Sequence, residues 1–485
     1  MQRFSLKSAL AISASAAMLA GAMAVPAYGQ SSDGVNPEDE IISIGTRRQA
    51  RSAADTPAPV DVISGFEFSQ SAANDVQDLL RTALPSYNVN TQPISDAASI
   101  VRPANLRGLS PDNTLVLVNG KRRHRGAVIS FLGGGIADGA QGVDVSSIPS
   151  IALKQVQVLR DGASSQYGSD AIAGVINIVL KDADEGGSVS YTYGEYDTQM
   201  AGSPQLLNTT TDSEGNLSFE TGSDREVNDG ISRTASANAG FALGDNGFIN
   251  VSIESRNNEP TNRSGFDARE QYSRDENGNL DSREFDFDRY NHRFGKAAIE
   301  DFALFYNLGY EFDNSLSLYS FASYSNRKGN SGGFYRRAKD SRNLTEVYPD
   351  GFLPQIDTDV DDYSFAIGLN GETNDWAWDV STNYGRNDFG LGVSNSLNTS
   401  MGVNSPTEFD NGALVYEQYL VNMDASNTLD LGLPDDVFVT IGAEYRHENY
   451  QIKAGETVFI EKAALGSFVL GKDSRNSTIR VKRLK

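Results

Sequence analysis

Few residues in this chain have the type and spacing that catalysis needs. Its three histidines, His124, His292 and His447, lie in unrelated segments, so local sequence builds neither a His-rich metal site nor a His-based general base. Cysteine is absent, which removes thiolate zinc ligands, cysteine nucleophiles and a disulfide framework. No HExxH, GxSxG or P-loop pattern occurs. Two acidic groupings and one basic run remain. Ser273, Asp275, Asn277 and Glu284 stand near calcium-loop spacing, but Ser replaces the usual first Asp, and a hairpin turn at Asn277-Gly278 accounts for the same residues. Glu284, Asp286 and Asp288 line one face of a short predicted strand; they make an acid/base pair only if two of them meet across a cleft, and a solvated loop face explains them better. Lys121, Arg122, Arg123, His124 and Arg125 are consecutive in a chain of net charge −23. Such a run could meet an anionic ligand, or it could pair with acidic side chains elsewhere in the fold.

The elements that must position these residues fall into two textures. Up to about residue 185 the pattern is that of a compact α+β domain. Val60–Ile63 reads as a strand. Asn74 reads as the N-cap of a helix, with Gln77 three places on as in a capping box. Val76, Leu79, Leu80 and Ala83 share one face of that helix, and Pro85 stops it. Val156–Leu159 is a short strand, Asp161-Gly162 a tight turn, and Val175–Leu180 an apolar strand covered on both faces. From Val189 onward apolar residues recur at every second position. Phe302, Leu304, Tyr306, Leu308, Tyr310 and Phe312 form the longest stripe, with Asn307, Gly309, Glu311 and Asp313 opposite. Similar stripes run through Ile249–Ile253, Tyr363–Leu369, Trp376–Tyr384 and Val437–Tyr445. Segments about ten residues long with aromatics near their ends fit lipid-facing β-strands.

Composition is consistent with this division. The apolar fraction is 39%, and no run after residue 25 approaches the ~20 apolar residues of a spanning helix. The acidic balance argues against a nucleic-acid partner. The N-terminus reads as a secretory signal over residues 1–27: Arg3 and Lys7 precede the apolar stretch Ala9–Ala22, and small residues at Val25 and Ala27 permit cleavage.

Ordered motifs then narrow the reading. Val156–Gly168 (VQVLRDGASSQYG), followed by Ala171–Ile178 (AIAGVINI), closely resembles the end of the plug domain of TonB-dependent outer-membrane receptors. Asn105–Leu109 (NLRGL) and Thr114–Gly120 (TLVLVNG) resemble the two earlier plug motifs, in the right order. The resemblance implies a flexible periplasmic tail over residues 28–58, a plug over 59–185 and part of an antiparallel transmembrane β-barrel over 186–470. It also implies that Glu40, Ile41, Ile42, Ser43 and Ile44 form the TonB box, a strand-forming island that docks on TonB by strand addition. TonB would act with ExbB and ExbD. Thr91–Val101 and His124–Gln141 would lie at the plug apex, making Arg122, Arg123, His124 and Arg125 candidate ligand contacts. Arg107 and Arg160 would be buried ion-pair partners between plug and barrel wall, with Glu444 as a candidate partner. No cofactor or metal is implied, and the activity is transport of a scarce solute such as a ferric siderophore, not enzymatic turnover. Loop lengths orient the strands, placing 257–298, 327–360 and 389–417 outside. Tyr348–Pro354 (YPDGFLP), in one of these loops, has no assigned role.

Residues 188–470 supply about ten strands, whereas a plugged barrel needs about 22, and residues 471–485 form an atypical basic tail. The expectation is therefore a truncated or frame-shifted portion of a receptor. Three alternatives come from other classes: a passive porin or adhesin barrel, a secreted β-rich polysaccharide hydrolase, and a signalling receptor with an extra N-terminal domain. The last is disfavoured by the short interval between Ala27 and Glu40.

Overall fold

The computed structural model describes residues 41–42, 51–52, 60–70, 75–89, 98–102, 104–130, 137–168, 170–313, 316–434, 436–456 and 477–484. The signal-peptide segment, Glu40, Ser43 and Ile44 lie outside them, as do residues 91–97 and 131–136 of the two apex loops.

The first strands, β1 (Ile41–Ile42) and β2 (Arg51–Ser52), pair with each other antiparallel. The plug is built on a five-stranded mixed sheet in the order β3 (Val60–Ser64), β8 (Leu153–Leu159), β9 (Gly174–Leu180), β6 (Thr114–Val118) and β7 (Lys121–Arg122). Strands β6 and β9 run parallel, and the other pairs are antiparallel. A central strand must be apolar on both faces, and β9 is buried at six of its seven positions. A second, two-stranded sheet joins β4 (Tyr87–Val89) to β5 (Ala104–Leu106).

The helix Val76–Ala83 forms as expected, but its N-cap is Asp75, whose carboxylate accepts the Asp78 amide at 2.9 Å. Asp at this position caps as well as Asn; Val76, Leu79 and Leu80 are buried as expected, whereas Ala83 is exposed and the C-cap Leu84 is buried one position on. Strand β8 begins three residues earlier than the apolar run, at Leu153: Leu153 and Gln155 pair with Leu180 and Val179 of β9, and the exposed Lys154 sits at a register irregularity between them.

The wall is a ten-stranded antiparallel sheet of β10 (Gly187–Thr211), β11 (Leu217–Ala242), β12 (Gly247–Asn258), β13 (Ala298–Asp313), β14 (Leu316–Gly332), β17 (Gln355–Thr373), β18 (Trp376–Ser394), β19 (Phe409–Leu429), β20 (Val437–Ala454) and β21 (Ser477–Leu484). Strands β15 (Arg336–Arg337) and β16 (Gly351–Phe352) pair by themselves in the loop after β14. Among the described residues the wall does not close, since β10 and β21 are its two edges. The eight residues of β21 fall within the segment read as a basic tail and add to β20.

Period-two alternation sorts the wall's faces. Leu304 is 41% exposed on the outside, whereas Phe305 is 3% exposed and packs inward. Phe365, Leu369, Val380 and Ile441 continue the outward apolar face. Inward Ala303, Phe305, Phe321 and Ala366 share one apolar core with Leu80, Val118, Val156 and Ile178 of the plug. Plug and wall are therefore packed as one body, with each buried aliphatic side chain contributing about 1.5–3 kcal/mol.

The strands run longer than their stripes. At about 3.3 Å per residue, 25-residue β10 extends roughly 80 Å, far beyond a hydrocarbon core of about 30 Å. Polar residues keep the ladder going above the apolar band, so the long loops contract to residues 259–297, 333–354 and 395–408. Pro204 marks a register irregularity in the tall β10–β11 hairpin, as a residue without an N–H must. The short strand expected to carry Glu284, Asp286 and Asp288 is instead a 3-10 turn followed by irregular chain.

Candidate functional site: the anchored plug

The polar face of the wall meets the plug through buried charge. Strand β7 pairs with the end of β6, and the chain leaving it carries the basic run into the wall. Arg123 donates from Nη2 to Asp362 Oδ1 at 2.5 Å, and His124 Nε2 lies 2.9 Å from Asp362 Oδ2. Asn387 also donates to Asp362 (2.9 Å), while its own carbonyl oxygen takes the Ala127 amide (2.8 Å). The Arg123 guanidinium is completed by Ser323 at 2.9 Å and Ser147 at 3.2 Å. The Arg123, His124 and Asp362 side chains are all at most 3% exposed. Gly385 of β18 makes this fit possible, because a Cβ there would stand 2.3 Å from the His124 ring.

A second cluster alternates in sign from plug to wall and back. Asp144 of the plug faces Arg327 of β14 at 3.0 Å, and Arg327 also holds Asp301 of β13 at 2.9 Å. Asp301 binds Arg256 of β12, which lies 3.8 Å from the plug's Asp75. Asp75 in turn pairs with Arg102, which reaches Asp78 at 3.4 Å and Ser146 at 3.0 Å. Lys296 closes the series 3.4 Å from Asp78. Burial opposes ionisation of Asp75, but Arg102 and Arg256 outweigh it and hold that carboxyl well below the usual range.

A third set sits around β7. Lys121 meets Asp379 of β18 at 2.6 Å, and the Tyr319 hydroxyl donates to the same carboxylate at 2.8 Å. Asp170 of the plug gathers Arg122 at 2.6 Å, Arg446 of β20 at 3.4 Å and Arg125 at 3.6 Å. Desolvation works against the Asp170 charge, and Arg122, Arg125 and Arg446 together lower its pKa.

The basic run thus faces carboxylates along its length, as its sequence allowed. The other residues nominated from sequence have different partners from those expected. Arg107 lies exposed in the turn after β5, in a left-handed conformation (φ 56°). Arg160 pairs with Asp61 inside the plug, at 2.6 Å across β8 and β3, because these side chains share the exposed side of that sheet edge. Glu444 pairs at 2.8 Å with Arg446, two positions along the same face of β20, and so joins the plug only through Arg446 and Asp170. Glu284 is fully buried: it accepts the Gln271 and Tyr272 amides and binds Arg289 at 2.7 Å. Asp275 instead closes the hairpin turn, accepting the amides of Asn277 and Asn279.

Sequence reading missed Asp75, Arg102, Asp144, Arg256, Asp301, Arg327 and Asp362. The signal for the wall residues was present, since Arg256, Asp301 and Asp362 sit on the opposite phase from the apolar stripes beside them.

This architecture, a mixed α+β plug fastened inside a wall of antiparallel strands with an apolar outer face, defines a class of plugged barrel proteins. Residues 52–175 match the TonB-dependent receptor plug domain family. The chain is 29% identical over 163 residues to the ferric enterobactin receptor of Pseudomonas aeruginosa and 32% identical over 162 residues to the vitamin B12 transporter BtuB of Vibrio cholerae. Each match covers 33% of this chain and spans only 21% and 24%, respectively, of the relatives' lengths. In fold it is similar to the crystal structure of a single-site mutant of the P. aeruginosa ferric enterobactin receptor PfeA, with a TM-score of 0.55 at 15% identity, covering 88% of this chain and 54% of that one. The siderophore receptor PirA of Acinetobacter baumannii gives 0.52 at 17% identity, over 81% and 48%. Residues 52–175 thus carry a TonB-dependent receptor plug domain, and the chain shares its fold with solved receptors of that kind while spanning about a quarter of the length of the curated relatives it matches and about half of the solved ones.

Proposed function

We propose that the protein serves TonB-dependent active transport of a scarce solute, such as a ferric siderophore, across the Gram-negative outer membrane. The observation that carries this reading is the plug held to the inner face of the wall by buried ion pairs. Such pairs resist spontaneous opening, because separating one strands a charge in a low-dielectric site, and opening then needs external work. In this reading the outward apolar face contacts outer-membrane lipid and the signal segment directs export. Ligand bound from outside releases the TonB box, Glu40–Ile44, into the periplasm, where TonB adds to it as a strand and, energised by ExbB–ExbD, draws the plug aside. Two of the TonB-box residues, Ile41 and Ile42, already adopt strand geometry, which fits main-chain pairing. We assign Arg122, Arg123, His124 and Arg125 to plug anchoring in place of ligand contact, since each faces a carboxylate. The protein is accordingly a binding and transport protein, not an enzyme.

The test is uptake of radiolabelled ferric siderophores and cobalamin by cells carrying the full-length protein, with and without residues 40–44. Loss of energy-dependent uptake on deletion, with unchanged amounts in the outer-membrane fraction, is the expected result. Uptake that survives the deletion favours a passive porin, and recovery of the protein as a soluble periplasmic or secreted species favours the hydrolase alternative.

A further inference from the structure

The Tyr348–Pro354 segment has no part in the plug anchoring, yet its contacts reach three separate loops. Asp350 accepts the Tyr272 hydroxyl at 2.9 Å and lies 3.6 Å from Arg283, both in the 259–297 loop. Arg283 stacks over the Tyr272 ring, 4.0 Å from its centroid, so the two donors are held together before they meet Asp350. Within its own loop, the Asp350 carbonyl accepts the Tyr335 hydroxyl at 2.9 Å. On the other side, the Tyr348 hydroxyl donates to Ser396 O at 3.2 Å, and Leu353 O accepts Asn395 Nδ2 at 2.8 Å. The stacked rings of Tyr348 and Phe352, 4.5 Å apart, fix the segment between these attachments. Gly351 permits the turn: its φ is +93°, and a Cβ would stand 2.3 Å from Arg336 O.

The loops so joined are themselves ordered. The 259–297 loop is built around the fully buried Glu284–Arg289 pair, and Lys339 ties it a second time to the 333–354 loop through Glu270 at 2.8 Å.

We infer that Tyr348–Pro354 is a clasp that gathers the loops 259–297, 333–354 and 395–408 into a single rigid roof, so that they open and close together. Placing this roof on the outside of the cell rests on the function proposed above; the mechanical coupling does not. A ligand that displaced one loop would have to carry the other two with it, and a mutation in the clasp would act on loops it does not contain.

Hydrogen exchange on the purified full chain in detergent tests this directly. Asp350→Ala is expected to speed exchange in residues 268–285, and Tyr348→Phe in residues 395–404, each by about two- to tenfold for the loss of one hydrogen bond. Each variant is also expected to speed exchange in the far loop that it does not touch. Amides of β18 serve as the folding control and should keep wild-type rates. If Asp350→Ala disturbs that control, Tyr272→Phe probes the same joint from the opposite side, with faster exchange expected over 345–352. Faster exchange confined to the mutated loop, or none at all, overturns the clasp. Because exchange is read without ligand or TonB, either result stands whether or not the protein transports.

Discussion

Arg327 of the wall and Asp144 of the plug face each other at 3.0 Å with both side chains only 3% exposed. Neither charge has water to fall back on, so the pair makes plug and wall interdependent. Removing either partner should loosen the plug by about 3–5 kcal/mol, while removing both should cost less than the sum. Limited proteolysis of the plug in Arg327→Ala, Asp144→Ala and the double variant checks this; equal additive effects would show that the pair is not coupled.

Asp362 should behave as a shared socket. Asp362→Asn keeps the shape but leaves Arg123 without its countercharge, at a cost of about 3–5 kcal/mol for a buried pair broken on one side. Gly385→Ala should release the same socket by steric means, since the new Cβ meets the His124 ring at 2.3 Å. Both variants should expose the 121–127 segment to exchange more than the distant Asp61–Arg160 edge. A uniform effect over the whole plug would argue against a local anchor.

Acid should unseat the plug. Asp75 and Asp170 both have folded pKa values below their ordinary value of 3.8. The unfolded or unseated state then binds protons more readily, so their stabilisation is fully present above about pH 4 and is lost progressively as pH falls through the folded values. Plug protection should be flat from pH 7 to 5 and decline below about pH 4. In Asp75→Asn and Asp170→Asn variants the neutral-pH protection should already be lower and the acid decline shallower.

The outward stripe should tolerate no charge. With the outward face against lipid, as proposed, Leu304→Arg or Phe365→Arg would cost about 2–4 kcal/mol near the midplane. Ser325→Arg is less informative, since that side chain is buried toward the plug and tests packing instead. Recovery of the protein in the membrane fraction should fall for the two stripe variants. Normal insertion of both would place this face away from lipid.

Much of this was legible in the chain because its information is local. A period of two identifies strands and sorts their faces without any knowledge of partners, which is why Leu304, Phe365 and Ile441 read correctly as outward. The helix at Val76–Ala83 followed from its face and its stop signal, and only its cap was misplaced, at Asn74 where Asp75 accepts the Asp78 amide. The ordered motifs around Arg107, Leu117 and Gly168 lie within the residues that match the plug domain.

The pairing of charges was not local and could not be read. Arg160 and Asp61 lie 99 positions apart in sequence and Arg123 and Asp362 lie 239 apart, and nothing in either neighbourhood names the other. A charged residue on the polar phase of a strand announces only that it points inward. Which opposite charge it meets depends on how the plug is rotated against the wall and on where neighbouring strands are in register. By itself, therefore, the sequence determined the strands, their two faces and the plug within them. Tertiary packing alone decided that Arg123 and His124 meet Asp362 and that the segment around Gly351 contacts two neighbouring loops, because a buried polar group takes whichever partner the fold brings within about 3 Å.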